Sequence, residues 1–163
     1  ITKELELMKS ANHITSLYIK QNIQEAIVND NLYLNLQAKD SVNIIRNDKP
    51  VLVFRYSALN CRECIEFGYT KLKEFFNDTE LKRYILSISS DFSLEDEIHE
   101  KSHLDLKKMK LGLPIEQGNE PFFFILDGNQ IKHVFIPDIK HSEYTDTYLY
   151  EIKKRYFPDN NEK

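Results

Sequence analysis

The order of hydrophobic segments predicts an α/β fold: a mixed central sheet layered between helices on both faces, preceded by an extra N-terminal helix. Three observations carry this reading. The run Val51-Leu52-Val53-Phe54-Arg55-Tyr56 is nearly continuous apolar and β-prone, which suits a central strand buried on both sides. Apolar residues at helical spacing follow it, from Cys64 through Phe67 and Leu72 to Phe75 and Phe76. A strand pair joined by Asp127-Gly128, then a last helix, closes the pattern.

Taken in order, residues 3–28 read as a helix. Leu7, Met8, Ala11, Ile14, Tyr18 and Ile27 recur at its period, and no Pro or Gly interrupts them. Leu32, Leu34 and Leu36 alternate with polar residues as in a half-buried strand, and Val42 to Ile45 is a second short extended piece. Asp48-Lys49-Pro50 punctuates the chain before the central strand. A helix over 61–76 follows, and Tyr84 to Ile88 is a further short strand. Ser93, with Asp96 three residues on, caps a helix predicted over 94–110 that Gly112 and Pro114 end. Phe122 to Leu126 is a core strand, Ile131 to Ile136 is its hairpin partner, and Ser142 caps a helix to Tyr156 that Pro158 stops. This divides the chain into an N-terminal helical extension, 1–30, and an α/β domain, 31–163.

Composition narrows the function classes. The 163 residues are enough for one domain with a proper core. With 41% hydrophobic and 29% charged residues the chain reads as globular, not disordered. A net charge of −4 with mixed signs offers no basic footprint for nucleic acid, so none is expected as a partner. No apolar run is long enough to span a bilayer. Ile1 is not a translation start, so the sequence reads as trimmed, and a leader or lipid anchor could have preceded it.

The two cysteines stand three apart, which is no disulfide framework. Cys61-Arg62-Glu63-Cys64 follows a buried strand and opens a helix. Residues at that spacing face each other, so a disulfide closes with little backbone movement. The amide groups and dipole of the helix start favour a thiolate at Cys61, and the strand end places its sulfur where a partner can reach it. Cys64, one turn in, is the more buried thiol. Cys61 therefore attacks and Cys64 resolves the mixed disulfide. Arg62 beside Cys61 favours the thiolate, whereas Glu63 and Glu120 disfavour it. Two inert packed thiols, or half of a zinc site, are the plainer readings, and the absence of a second CxxC counts against zinc.

The stretch Val51 to Phe76, VLVFRYSALNCRECIEFGYTKLKEFF, resembles the thioredoxin superfamily, and most of all the extracytoplasmic TlpA-like thiol-disulfide oxidoreductases of Bacteroidetes type. A second match is Glu120-Pro121-Phe122-Phe123-Phe124-Ile125-Leu126-Asp127-Gly128-Asn129. There the resemblance implies a cis-proline at Pro121, lying against the cysteines. It covers roughly residues 32–157. It implies a thioredoxin-like three-layer fold and disulfide exchange with protein substrates through Cys61 and Cys64. It also implies a substrate groove formed by Asn60, Arg62, Glu63, Glu120 and Pro121. No cofactor is implied beyond the redox-active disulfide. The expected partners are a protein thiol or disulfide substrate and an upstream redox partner, in the periplasm or cell envelope of a bacterium. A membrane enters only through an N-terminal anchor.

The chain departs from that pattern in four places. Asn60 stands where the family has Trp, Arg62-Glu63 replaces Gly-Pro, Arg55 occupies the position of a buried acid, and Glu120 precedes the proline in place of a small or β-branched residue. These departures sustain an alternative: a binding module that docks a client near Cys61 and Pro121 without efficient turnover.

Other motifs read more plainly. His99-Glu100-Lys101-Ser102-His103 is a literal HExxH, but charged Lys101 between the ligand positions marks a solvated face, so no metal is expected. A peroxiredoxin needs Thr or Ser where this chain has Ala58. Phe122-Phe123-Phe124 reads as core strand, and Tyr144, Tyr148 and Tyr150 as helix packing and rim.

Overall fold

The computed structural model describes residues 3, 33–34, 49–90, 103–105, 114–128 and 130–158. Its strands are β1 (Tyr33–Leu34), β2 (Val51–Ser57), β3 (Ile85–Ser90), β4 (His103–Asp105), β5 (Phe122–Asp127) and β6 (Gln130–Phe135). They form one mixed sheet in the order β1-β6-β5-β2-β3-β4. β2 runs parallel to β3 and antiparallel to β5, so the direction of the sheet changes at β2. β4 continues the parallel half, and β6 and β1 continue the antiparallel half. The α/β class with a mixed sheet is as the sequence predicts.

β2 is central because both of its faces are apolar. Leu52, Phe54 and Tyr56 enter one buried cluster, with Phe123 and Ile125 of β5 beside them. Val51 and Val53 enter the other, with Phe122, Phe124 and Leu126. The period of two in a strand sorts these residues without exception.

The first cluster is roofed by helices α1 (Arg62–Phe75), α2 (Asp78–Tyr84) and α3 (Ser142–Tyr156). Ile65, Tyr69 and Leu72 of α1, Leu81 of α2, and Tyr148, Leu149 and Ile152 of α3 all point into it. Among the described residues the α-helices therefore cover one face only. The second cluster has Ile115, from the short 3-10 turn Pro114–Gln117, packed against it. Gly68 lets α1 approach the sheet: a Cβ there would stand 2.5 Å from Cζ of Phe54.

Several expectations change. The helix predicted over 94–110 does not hold at His103–Asp105, which pairs in parallel with β3 as a strand. The lateral pairing of β3's open edge outweighs helical propensity there. The sequence reading misses α2, whose Asn77 and Glu80 form a complete capping box. Ser142 is the first residue of α3 and not its cap; His141 occupies the cap position without a side-chain bond. The hairpin at Asp127-Gly128 forms, with Gly128 at φ +61° in the left-handed region that glycine enters freely. The N-terminal helix over 3–28, apart from helical Lys3, and the extended piece at 42–45 lie outside the described residues.

Candidate functional site

β2 ends at Ser57, and the chain turns through Ala58, Leu59 and Asn60 into α1. Asn60 closes this turn twice. Its amide donates to the Ser57 carbonyl at 3.0 Å, and its Oδ1 accepts the Ser57 amide at 2.8 Å. A short polar side chain that bonds to its own backbone is suited to this work. Leu59, at the turn, is 76% exposed.

The turn delivers Cys61 to the N-cap of α1 in extended conformation, φ −65° and ψ 133°. Cys61 and Cys64 form a disulfide, with Cα atoms 5.2 Å apart. Cys61 Sγ accepts the backbone N–H of Cys64 at 3.0 Å. That amide is one of the unpaired donors at any helix start, so the sulfur occupies the place of a capping oxygen. Cys61 is exposed and Cys64 half-buried, the order of accessibility expected from the sequence. A negative charge released on Cys61 would face the same N–H and the positive end of the α1 dipole.

The predicted groove residues divide. Arg62 is exposed and turned back along α1, where its Nε donates to Glu66 at 3.0 Å. Glu63 is exposed between the cysteines. Asn60 and Glu120 line one small open depression, together with Arg55, Tyr56, Ser57, Glu116, Gly118 and Phe122. The pairing of Arg55 with Phe122 explains how they meet: it brings the segment before β5 alongside the end of β2. Pro121, buried, precedes β5 at that point.

The cis bond implied at Pro121 is not there: among the described residues no peptide bond is cis. The trans isomer is the intrinsically favoured one even before proline, by about 0.5–1 kcal/mol, and an extended entry into β5 asks for no tight turn.

Arg55 lies on the face of β2 away from the helices and is 4% exposed. Its Nε donates to Glu116 Oε1 at 2.9 Å, with both side chains 5% exposed. Its Nη1 donates to the carbonyl of Tyr56, and to that of Ile88 at 3.5 Å. A buried cation is tolerated only when so compensated. Sequence reading singles out Arg55 as unusual but gives no hint of Glu116.

Behind the site, on the helix side, lies a hydroxyl chain that the sequence reading also misses. Tyr69 of α1 donates to Ser87 Oγ at 2.6 Å and stands 3.3 Å from the Tyr56 hydroxyl. Burial, with Tyr56 adding to it, pushes the Tyr69 hydroxyl above its ordinary range, and the bond to Ser87 offsets only part of this.

Comparison with protein-family models, curated proteins and solved structures finds no match for this chain.

The resemblance to thioredoxins thus rests on the residues quoted above. No group of three or more His, Cys, Asp or Glu side chains suited to a metal occurs among the described residues. Of the HExxH stretch, His103 belongs to β4, a strand, and the four residues before it lie outside the described residues. No helix among the described residues is long and apolar enough to cross a membrane.

Proposed function

We propose that this protein is a thioredoxin-like thiol-disulfide oxidoreductase acting on protein substrates through Cys61 and Cys64. The observation that carries the reading is the disulfide at the start of α1, with the exposed Cys61 sulfur on the N–H of Cys64. In the reduced protein, the Cys61 thiolate attacks one sulfur of a client disulfide. A Cys61–client bond forms and the client's other sulfur leaves as thiolate. The Cys64 thiolate then displaces the client sulfur from Cys61. The client gains two electrons and takes up two protons, and the Cys61–Cys64 disulfide holds the oxidising equivalents. An upstream dithiol returns it to the reduced form; run backwards, the same steps oxidise a client. No cofactor other than the disulfide takes part.

A TlpA-like membership and a bacterial periplasmic or envelope setting belong to the same proposal. Support for them is the strand–CxxC–helix sequence and the antiparallel strand that opens at Pro121. The trans bond at Pro121 counts against the thioredoxin resemblance itself, which implies a cis bond there, and the buried Arg55 favours the second reading, a client-binding module with slow turnover.

The deciding experiment is reduction of insulin by dithiothreitol, with and without catalytic amounts of the protein. Wild type accelerates it. Cys61→Ser, which keeps a good N-cap and hence the fold, does not. An equal rate for wild type and Cys61→Ser sinks the oxidoreductase reading and leaves the binding module.

A further inference from the structure

The charges around the disulfide are unevenly settled. Two arginines are already committed: Arg62 to Glu66, and Arg55 to Glu116. The carboxylates of Glu63 and Glu120 have no ion-pair partner among the described residues, and both side chains are exposed. Glu63 lies between the cysteines. Glu120 lines the same depression as Asn60, the residue next to Cys61. The floor adds no positive charge, because Arg55 and Glu116 neutralise one another 2.9 Å apart. Among the described residues, a client segment bound there meets two unpaired carboxylates, Glu63 between the cysteines and Glu120 on the depression that Asn60, next to Cys61, also lines.

From this we infer that Glu120 is a specificity-determining residue, selecting clients that carry a lysine or arginine beside the cysteine under attack. The inference rests on the oxidoreductase reading and adds a substrate class to it. The depression is polar where Asn60, Ser57, Glu116 and Glu120 line it, so a cationic side-chain end at its mouth meets polar groups and not apolar surface. Its open mouth keeps the interaction solvated. The discrimination is therefore modest and salt-dependent, about fivefold, as expected for unit charges about 4 Å apart in water. An acidic flanking residue is disfavoured for the same reason.

The test uses three synthetic peptides that differ only in the residue after a single cysteine: Lys, Ala or Glu. Each cysteine is carried as its neutral 2-thiopyridyl disulfide, and release of thiopyridone by the reduced full chain is followed by absorbance. The readout is the ratio of the rates for the Lys and Glu peptides. That ratio cancels any change in the thiolate fraction at Cys61, which acts on all three peptides alike. In wild type at low salt the Lys peptide reacts about fivefold faster than the Ala peptide, and the Glu peptide reacts more slowly than the Ala peptide. In Glu120→Gln the ratio falls severalfold, in Glu120→Lys it falls further or inverts, and in high salt wild type approaches Glu120→Gln. A ratio that is the same in wild type and both variants overturns the assignment to Glu120 while leaving disulfide exchange intact. Absence of exchange with all three peptides, matched by Cys61→Ser, overturns the oxidoreductase reading and this inference with it.

Discussion

Arg55 and Glu116 meet 61 residues apart in sequence, the Nε of one donating to the Oε1 of the other at 2.9 Å. The bond ties the end of β2, which feeds the cysteine turn, to the 3-10 turn ahead of Pro121. Removing one partner strands a buried charge. Arg55→Met should cost about 3–5 kcal/mol in urea unfolding, whereas Arg55→Met with Glu116→Leu should lie much closer to wild type. Additive losses in the double variant would mean that the pair is not compensating buried charge.

Gly68 gives a prediction of opposite sense to helix propensity. Alanine favours a helix interior by about 1 kcal/mol over glycine. Here the new methyl meets the Phe54 ring, which is packed between Tyr56, Tyr69 and Phe123 with centroids 5.4, 5.0 and 4.8 Å away. Gly68→Ala should therefore destabilise by about 1–3 kcal/mol. Phe54→Leu in the same chain should recover part of that loss. A more stable Gly68→Ala protein would refute the close packing of α1 on β2.

Two tyrosines set an alkaline limit. Burial raises the hydroxyls of Tyr69 and of Tyr148, the latter with Tyr156 contributing. A raised value means that the folded state holds its proton more tightly than the unfolded chain does. The resulting stability is complete below the ordinary tyrosine value near 10 and is lost as pH rises above it. Each tyrosine should steepen the fall by about 1.4 kcal/mol per pH unit there. Thermal unfolding between pH 8 and 11 reads this directly. Tyr69→Phe should show a shallower alkaline slope, and an unchanged slope would argue against its burial as a neutral group.

The two thiols should differ in reactivity. In the disulfide form Cys61 is exposed and caps α1, while Cys64 is half-buried one turn further on, and the same order is expected after reduction. Mass-spectrometric labelling with iodoacetamide at neutral pH should modify Cys61 about tenfold faster. Cys64→Ser should accumulate a mixed disulfide with a client, because the thiol that displaces the client is gone. Equal labelling of both cysteines would remove the case for Cys61 as the nucleophile.

Leu59 is a large apolar side chain two residues before Cys61, left 76% exposed. Leu59→Ser should change stability by no more than about 0.5 kcal/mol, since nothing packs closely around it. If clients are held by their apolar segments, the same variant should raise KM for insulin severalfold with little change in kcat. An unaltered KM would confine recognition to the polar depression.

The sequence by itself determined what is local. The apolar run at Val51–Tyr56, the helical spacing after it and the cysteines between them fix a strand, a turn and a helix whose start carries the dithiol. Each of these signals lies within a few residues of the structure it specifies. The Asp127-Gly128 turn was legible for the same reason. The capping box at Asn77 and Glu80 was equally local, and α2 could have been read from it.

Only the tertiary structure decided the rest, because it depends on which segments lie side by side. Arg55 in a core strand looks like an error of pattern until Glu116 arrives from another element. His103–Asp105 becomes a strand because β3 offers an unpaired edge. His133, buried and at φ +53°, sits in the irregular stretch where β5 and β6 slip register, held by the Tyr148 hydroxyl on its carbonyl and the Tyr156 hydroxyl 2.7 Å from its Nε2. Pro121 takes the trans isomer that the entry into β5 permits. A residue's chemistry can be read from its letter, but burial, pairing and backbone strain are set by neighbours distant in sequence, and those neighbours are supplied by folding.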